Sequence, residues 1–185
     1  ARSGDAGIFS RKLSTRQRVI TCVSQNFSDE AQYQMINAFS RCITALGDDW
    51  LGVVKAHPAD NMDQLSNLVK YYPGVVLSDK SVPLEQVLEV TDLFMVVNSN
   101  VAFDAVLAGK PVFFWHIDEE RSGLAAIFSR EAGALVVKTE SELTALLSRC
   151  AIQGIDTEIH GGSLAAFARA FCAYTGEEAA RVTYK

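Results

Sequence analysis

The sequence lacks a C-x-x-C pair, a G-x-G-x-x-G fingerprint and any uninterrupted apolar run long enough to cross a bilayer. Its four cysteines, Cys22, Cys42, Cys150 and Cys172, are widely separated, and His57, His116 and His160 show no ligand spacing with them. A zinc site is therefore disfavoured, and cysteines in apolar or helical surroundings read as reduced residues of a cytosolic protein. Without the glycine fingerprint a dinucleotide site of the usual kind is disfavoured. No signal peptide or membrane span is expected. Positive charge is also short: 17 Lys and Arg face 22 Asp and Glu, for a net charge of -5. That argues against non-specific nucleic-acid binding, which needs a basic footprint, but leaves room for a local pocket taking a small anion.

What is present is alternation. Hydrophobic residues make up 49% of the 185, an ordinary globular composition for one domain with a full core. The first 17 residues, polar and glycine-containing with no initiator Met, read as a linker, so the chain is expected to be part of something larger. From there the pattern predicts strands at 18–25, 51–58, 74–79, 92–97, 111–117 and 134–138. Helices are predicted at 28–46, 61–72, 83–91, 101–109, over "LAAIFSREAG" and over "SELTALLSRCA", with caps at Ser28 and Ser141. The last stretch, 163–185, reads as a packing helix carrying Phe167, Phe171 and Tyr174, with a break near Gly176, and His160 as a loop residue. Strands that are apolar on both faces and alternate with helices predict a doubly wound parallel α/β sheet in the Rossmann-like order 3-2-1-4-5-6.

In such sheets ligands bind beyond the carboxyl ends of the strands, at the switch point. The polar residues collect there: Ser24-Gln25-Asn26, Lys55-Ala56-His57-Pro58, Ser78-Asp79-Lys80-Ser81, Asn98-Ser99-Asn100 and His116. Ser99 and Asn100 open the helix 101–109. They read either as an N-cap or as side chains beside free helix N–H groups that hold an anion. Lys55 and His57, two apart on a predicted strand, read as a cationic pair reaching a phosphate, His57 donating as imidazole or imidazolium; a satisfied strand-end histidine is the alternative. Asp104 reads either as a solvated helix acid or as an acceptor of ribose hydroxyls.

Three stretches together, "VVKAHP", "VTDLFMVVNSNVAFDAVLAGKPVFF" and "YTGEEAARV", resemble the C-terminal half of GT-B glycosyltransferases. The similarity covers roughly residues 18–182 and is nearest to bacterial capsule and surface-polysaccharide enzymes, including Kdo transferases and, more distantly, sialyltransferases. The resemblance implies that His57 and Pro58 meet the nucleotide phosphate and base, that Ser99 and Asn100 hold the phosphate, and that Lys55 is the basic residue before His-Pro. Asp104 matches the family's acid near the ribose, usually Glu, and is one methylene shorter. Gln25, Asn26 and Asn98 complete the expected donor site. The resemblance further implies a nucleotide-sugar donor, CMP- or UDP-linked and in particular a CMP-sugar such as CMP-Kdo, with a growing polysaccharide as acceptor. It implies no metal and no cofactor. The catalytic base is expected in an N-terminal half outside this sequence, with 163–185 crossing back toward it. The whole enzyme is expected in the cytoplasm, at the inner face of its membrane. Half of a UDP-GlcNAc 2-epimerase-like enzyme and a non-enzymatic partner-binding module are the alternative readings.

Overall fold

The computed structural model describes residues 17–25, 29–118, 123–159 and 162–171. Among them, six strands form one parallel sheet: β1 (Arg18–Val23), β2 (Trp50–Lys55), β3 (Val75–Ser78), β4 (Leu93–Val96), β5 (Val112–Trp115) and β6 (Val136–Val137). Their order is β3-β2-β1-β4-β5-β6, the predicted one. The register is set by pairs such as Cys22 with Val54 and with Met95, and the sheet reverses its winding between β1 and β4.

The helices are α1 (Asp29–Leu46), α2 (Met62–Val69), α3 (Leu84–Val90), α4 (Val101–Leu107), α5 (Gly123–Ala132), α6 (Glu140–Gln153), the single turn α7 (Ile155–Glu158) and α8 (162–171). Side chains two apart in a strand share a face, and the core divides accordingly. Met95, Phe113 and Trp115 face α1, α2 and α6, packing with Phe39, Leu65 and Leu147. Phe94, Val96, Val112 and Phe114 face the other way, against Ala102, Ala105, Phe128 and Leu164 of α4, α5 and α8. Each such aliphatic or aromatic side chain stabilises the fold by roughly 1.5–3 kcal/mol when fully buried. The predicted packing role of Phe167 and Phe171 holds: the Phe167 ring lies 5.0 Å from Phe128 and Phe171 stacks at 5.1 Å on Phe103. Gly52 lets α1 come close to β2, since a Cβ there would meet the Phe39 ring and Ile43 at 3.1 Å.

Several boundaries differ from the sequence expectation. β2 stops at Lys55 rather than Pro58, because Ala56 to Asp60 form a turn closed by the Asp60 N–H donating to the His57 carbonyl at 3.0 Å. The helix after "VVKT" is capped by Thr139, whose hydroxyl accepts the Glu142 N–H at 3.2 Å, not by Ser141. Glu142 reaches back to the Lys138 N–H at 2.7 Å, one residue before the cap. α4 is seven residues, ending before Gly109, whose φ of +74° suits a helix exit. The expected linker at 1–17, except Gln17, lies outside the described residues. So do Ser28, His160, Cys172 and the part of the last helix from 172 onward.

Among the described residues no helix is long and apolar enough to cross a membrane. Cys22, Cys42 and Cys150 are free and buried.

Candidate functional site

The carboxyl ends of β1, β2 and β4 surround a cleft of about 540 Å³ lined by Gln25, His57, Asn98, Ser99, Asn100, Val101 and Asp104. Six of the nine residues expected from sequence at the donor site are thus brought together. The strand order explains why. β1 and β4 are neighbours although 69 residues of chain separate the end of one, Val23, from the start of the other, Leu93, with β2 and β3 wound to the far side. Helices depart in opposite senses here and leave a crevice.

Gln25 ties the two halves of this crevice. Its Oε1 accepts the Asn98 N–H at 3.0 Å, joining the residues just past β1 and β4. Asn98 in turn accepts the Leu124 N–H at 3.2 Å through Oδ1, which fastens α5 to the same corner. The Ser99 hydroxyl accepts the Val101 N–H at 3.3 Å, so Ser99 satisfies the start of α4. The Asn100 side chain makes no capping bond. Of the two sequence readings of Ser99, the cap is the one the geometry shows. The N–H of Val101 is already engaged, and a seven-residue helix carries little macrodipole, so an anion here would be held by side chains rather than by the helix terminus. Asp104 is exposed and one turn along, on the cleft side.

His57 sits in the turn after β2 and is held from behind. Its N–H donates to Asp60 Oδ2 at 2.7 Å, and its Nδ1 accepts the Ala59 N–H at 3.1 Å. An acceptor Nδ1 means that the proton of the neutral ring is on Nε2, so the imidazole presents a donor to the cleft. Asp60, nine-tenths buried, takes the Gln32 amide at 2.7 Å on its other oxygen. Gln32 also donates to Ser24 Oγ at 2.7 Å. Lys80 Nζ straps the turn by donating to the carbonyls of Pro58, at 2.7 Å, and Asp60. Sequence reasoning does not single out Gln32 or Asp60, and it places Lys80 among the polar strand-end residues without a role. The one available signal was Asp60 two residues after Pro58, where an acid commonly closes a turn.

Lys55 does not join the cleft. Its Nζ donates to the Asp79 carbonyl at 3.1 Å, toward the end of β3. The expectation that Lys55 and His57 point the same way assumed a strand through both; the strand ends at Lys55 and alternation ends with it. The Pro58 ring is exposed and not part of the lining. His116 extends the sheet through its N–H to the Val137 carbonyl at 2.8 Å. Asn26 lies outside the described residues. No group of three or more His, Cys, Asp and Glu that would hold a metal occurs among the described residues.

The chain's similarities fit this geometry. No curated protein sequence matches the chain. Among solved structures, Anabaena Alr3699/HepE in complex with UDP and glucose superposes with a TM-score of 0.61 at 16% identity, over 90% of this chain and 48% of that one. The wall teichoic acid polymerase TagF, solved with CDPG, superposes with a TM-score of 0.58 at 13% identity, over 91% of this chain and 41% of TagF. The C-terminal domain of the group 1 glycosyl transferase LpcC from Francisella tularensis superposes with a TM-score of 0.59 at 13% identity, covering 88% of this chain and 89% of that domain. The chain therefore spans about half the length of the first two and nearly the whole of an isolated C-terminal domain. At these identities the likeness shows the fold, the Rossmann-like half of a GT-B glycosyltransferase. The family is shown by sequence: one family profile matches residues 18–185, nearly the whole chain, and the protein belongs to the CDP-glycerol:poly(glycerophosphate) glycerophosphotransferase family.

Proposed function

We propose that this chain is the donor-binding half of a transferase that builds a cell-surface polymer, and that its cleft holds the pyrophosphate and ribose of a cytidine-activated donor. The observation that carries this reading is the convergence of His57, Ser99, Asn100 and Asp104 on one crevice at the switch point. The His57 Nε2–H, the Ser99 hydroxyl and the Asn100 amide are donors suited to phosphate oxygens. Such preorganised donors stabilise the charge that develops on a departing phosphate. In this reading Asp104 accepts the ribose hydroxyls, with the reach of Asp rather than Glu.

The activity that defines the family supports CDP-glycerol as donor. In that reaction an acceptor hydroxyl attacks the β-phosphorus, the bond from that phosphorus to the bridging oxygen breaks, and CMP leaves with the electron pair. The acceptor's proton passes to a base. A CMP-sugar such as CMP-Kdo, the second reading, also releases CMP, but by cleavage at the sugar carbon. The base, the acceptor wall of the cleft and the partner of the last helix, 163–185, belong in this reading to a second Rossmann-like half. The complete enzyme works at the inner face of the cytoplasmic membrane, where a surface polymer is made.

A thermal-shift panel of CMP, CDP, CDP-glycerol, UDP, GDP and ADP tests the reading. A ligand that binds only the native state raises Tm. Selective stabilisation by the cytidine compounds is expected. Selective stabilisation by UDP would replace the donor class, and epimerisation of a UDP-sugar would favour the epimerase half. No shift with any nucleotide at millimolar concentration would favour a partner-binding module.

A further inference from the structure

A second cavity, of about 380 Å³, lies between α1 and α2 on the outer face of one helical layer. Its volume is within the roughly 300–1,000 Å³ typical of small-ligand pockets. Tyr33 and Asn37, one turn apart on α1, form one wall; Asn67 and Tyr71, from α2 and the turn beyond it, form the other, with Gln32 and Tyr72 between. Tyr33 and Tyr71 are 53% and 75% exposed, a poor arrangement for two large aromatics unless something stacks on them.

The polar atoms are sorted. Asn37 is 8% exposed; its Oδ1 takes the Tyr72 hydroxyl at 2.7 Å, and among the described residues its Nδ2 has no partner. That is an unpaired donor on a nine-tenths buried side chain lining the cavity. Asn67 Oδ1 is taken by Lys70 Nζ at 2.8 Å, so Asn67 also has its NH2 left to offer. Gln32 is reversed: its amide nitrogen is engaged by Ser24 and Asp60, leaving Oε1 as an acceptor. Lys70 Nζ lies 4.8 Å from the Tyr71 ring centre, which leaves the ring's other face for a ligand. No residue of the lining is charged.

We propose that this cavity is a binding site for a neutral oligosaccharide, separate from the nucleotide cleft. Hydroxyl groups both donate and accept, which matches two amide donors, one amide acceptor and tyrosine hydroxyls. A pyranose has a flat C–H face of partial positive charge that stacks on the negative face of an aromatic ring. An anionic chain finds no free cation in the lining, and an aliphatic one leaves the Asn37 amide unpaired. The site holds a neutral glycan beside the donor cleft, linked to it through Gln32, which also fixes the turn carrying His57. The proposal stands independently of the donor assignment.

The test is a heteronuclear NMR titration of the 185-residue chain with maltopentaose, cellopentaose and N,N′,N″-triacetylchitotriose, with poly(glycerol phosphate) as the anionic probe. At least one neutral oligosaccharide is expected to shift the Asn37 and Asn67 side-chain amides and the Tyr71 ring protons saturably. Tyr71→Ala is expected to weaken that binding about tenfold, with an unchanged amide spectrum elsewhere and an unchanged Tm response to nucleotide. Saturable shifts by poly(glycerol phosphate) alone, concentration-dependent shifts without any sugar (self-association through the tyrosines), or no shift at millimolar sugar would each overturn the proposal. Tyr33→Phe, which keeps the ring, is expected to retain most of the affinity and guards against a folding defect in the alanine variant.

Discussion

One oxygen of the Asp60 carboxylate receives the backbone N–H of His57 at 2.7 Å while the other receives the Gln32 amide at the same distance. A nine-tenths buried acid thus holds the His57 turn against α1. Asp60→Ala strips a part-buried N–H and a part-buried amide of their partner. The expected loss is about 3 kcal/mol, since each hydrogen bond to a charged group is worth roughly 1.5–3 kcal/mol. Asp60→Asn keeps one acceptor and is expected to lose less stability while still weakening nucleotide binding. Urea unfolding and the nucleotide Tm shift measure both; parent-like stability for the alanine variant would remove Asp60 from this role.

The tautomer of His57 makes a prediction by isostere. Gln places its amide nitrogen near Nε2, and Asn places its amide group near Nδ1. His57→Gln is expected to keep part of the cytidine-nucleotide affinity, and His57→Asn to lose it like His57→Ala. The loss of a charged hydrogen bond, roughly 1.5–3 kcal/mol, corresponds to about ten- to a hundredfold in Kd. Calorimetric titration decides it. Equal affinity for all three variants and the parent would place the phosphate elsewhere.

Ser99 separates a capping role from a ligand role. Its hydroxyl accepts from Val101, so Ser99→Ala is expected to cost about 1 kcal/mol of stability. If the hydroxyl also donates to phosphate, binding falls at least tenfold. A stability loss with unchanged nucleotide affinity would leave Ser99 a cap alone.

Nucleotide binding is expected to be insensitive to EDTA. The cleft offers amides, a hydroxyl, an imidazole and a single carboxylate, Asp104, a poor set for Mg²⁺, which favours carboxylate and phosphate oxygens. A Tm shift that disappears with EDTA and returns with Mg²⁺ would contradict this.

Two groups set expectations for pH. Burial, and then the nearby Glu158 carboxylate, push the Cys150 thiol from 9.0 up to about 11. The folded state therefore favours the protonated thiol, so this contribution is intact below about pH 9 and lost as pH rises toward 11. Stability of the parent is expected to fall more steeply over that window than that of Cys150→Ala. At the other end, the hydrogen bond from Arg41 holds the Glu140 carboxyl below its ordinary 4.5. Its contribution is present above pH 4.5 and lost as pH falls through the lowered value. This pair, Arg41 to Glu140 at 2.6 Å between α1 and α6, is exposed, so a double-mutant cycle is expected to give no more than about 1 kcal/mol.

The amino-acid sequence by itself determined the alternation of strands and helices, the winding order and the corner where Gln25, Asn98, Ser99 and Asn100 meet. These follow from local signals: apolar runs such as "DLFMVV" have no polar face to turn to solvent, and right-handed crossovers leave few ways to stack them. Tertiary structure decided where backbone periodicity stops. Lys55 and His57 look equivalent on an extended strand, but the turn closed by Asp60 sends Lys55 toward Asp79 and leaves His57 on the cleft. Gln32 and Asp60 are 28 residues apart, and nothing local marks them as partners. The same holds for the cavity between α1 and α2, whose tyrosines and amides come from α1, α2 and the turn beyond α2, elements that share one core through residues such as Phe39 and Leu65. Such pairings arise when burial brings distant polar groups to one place and each must find a partner, which no single stretch of chain encodes.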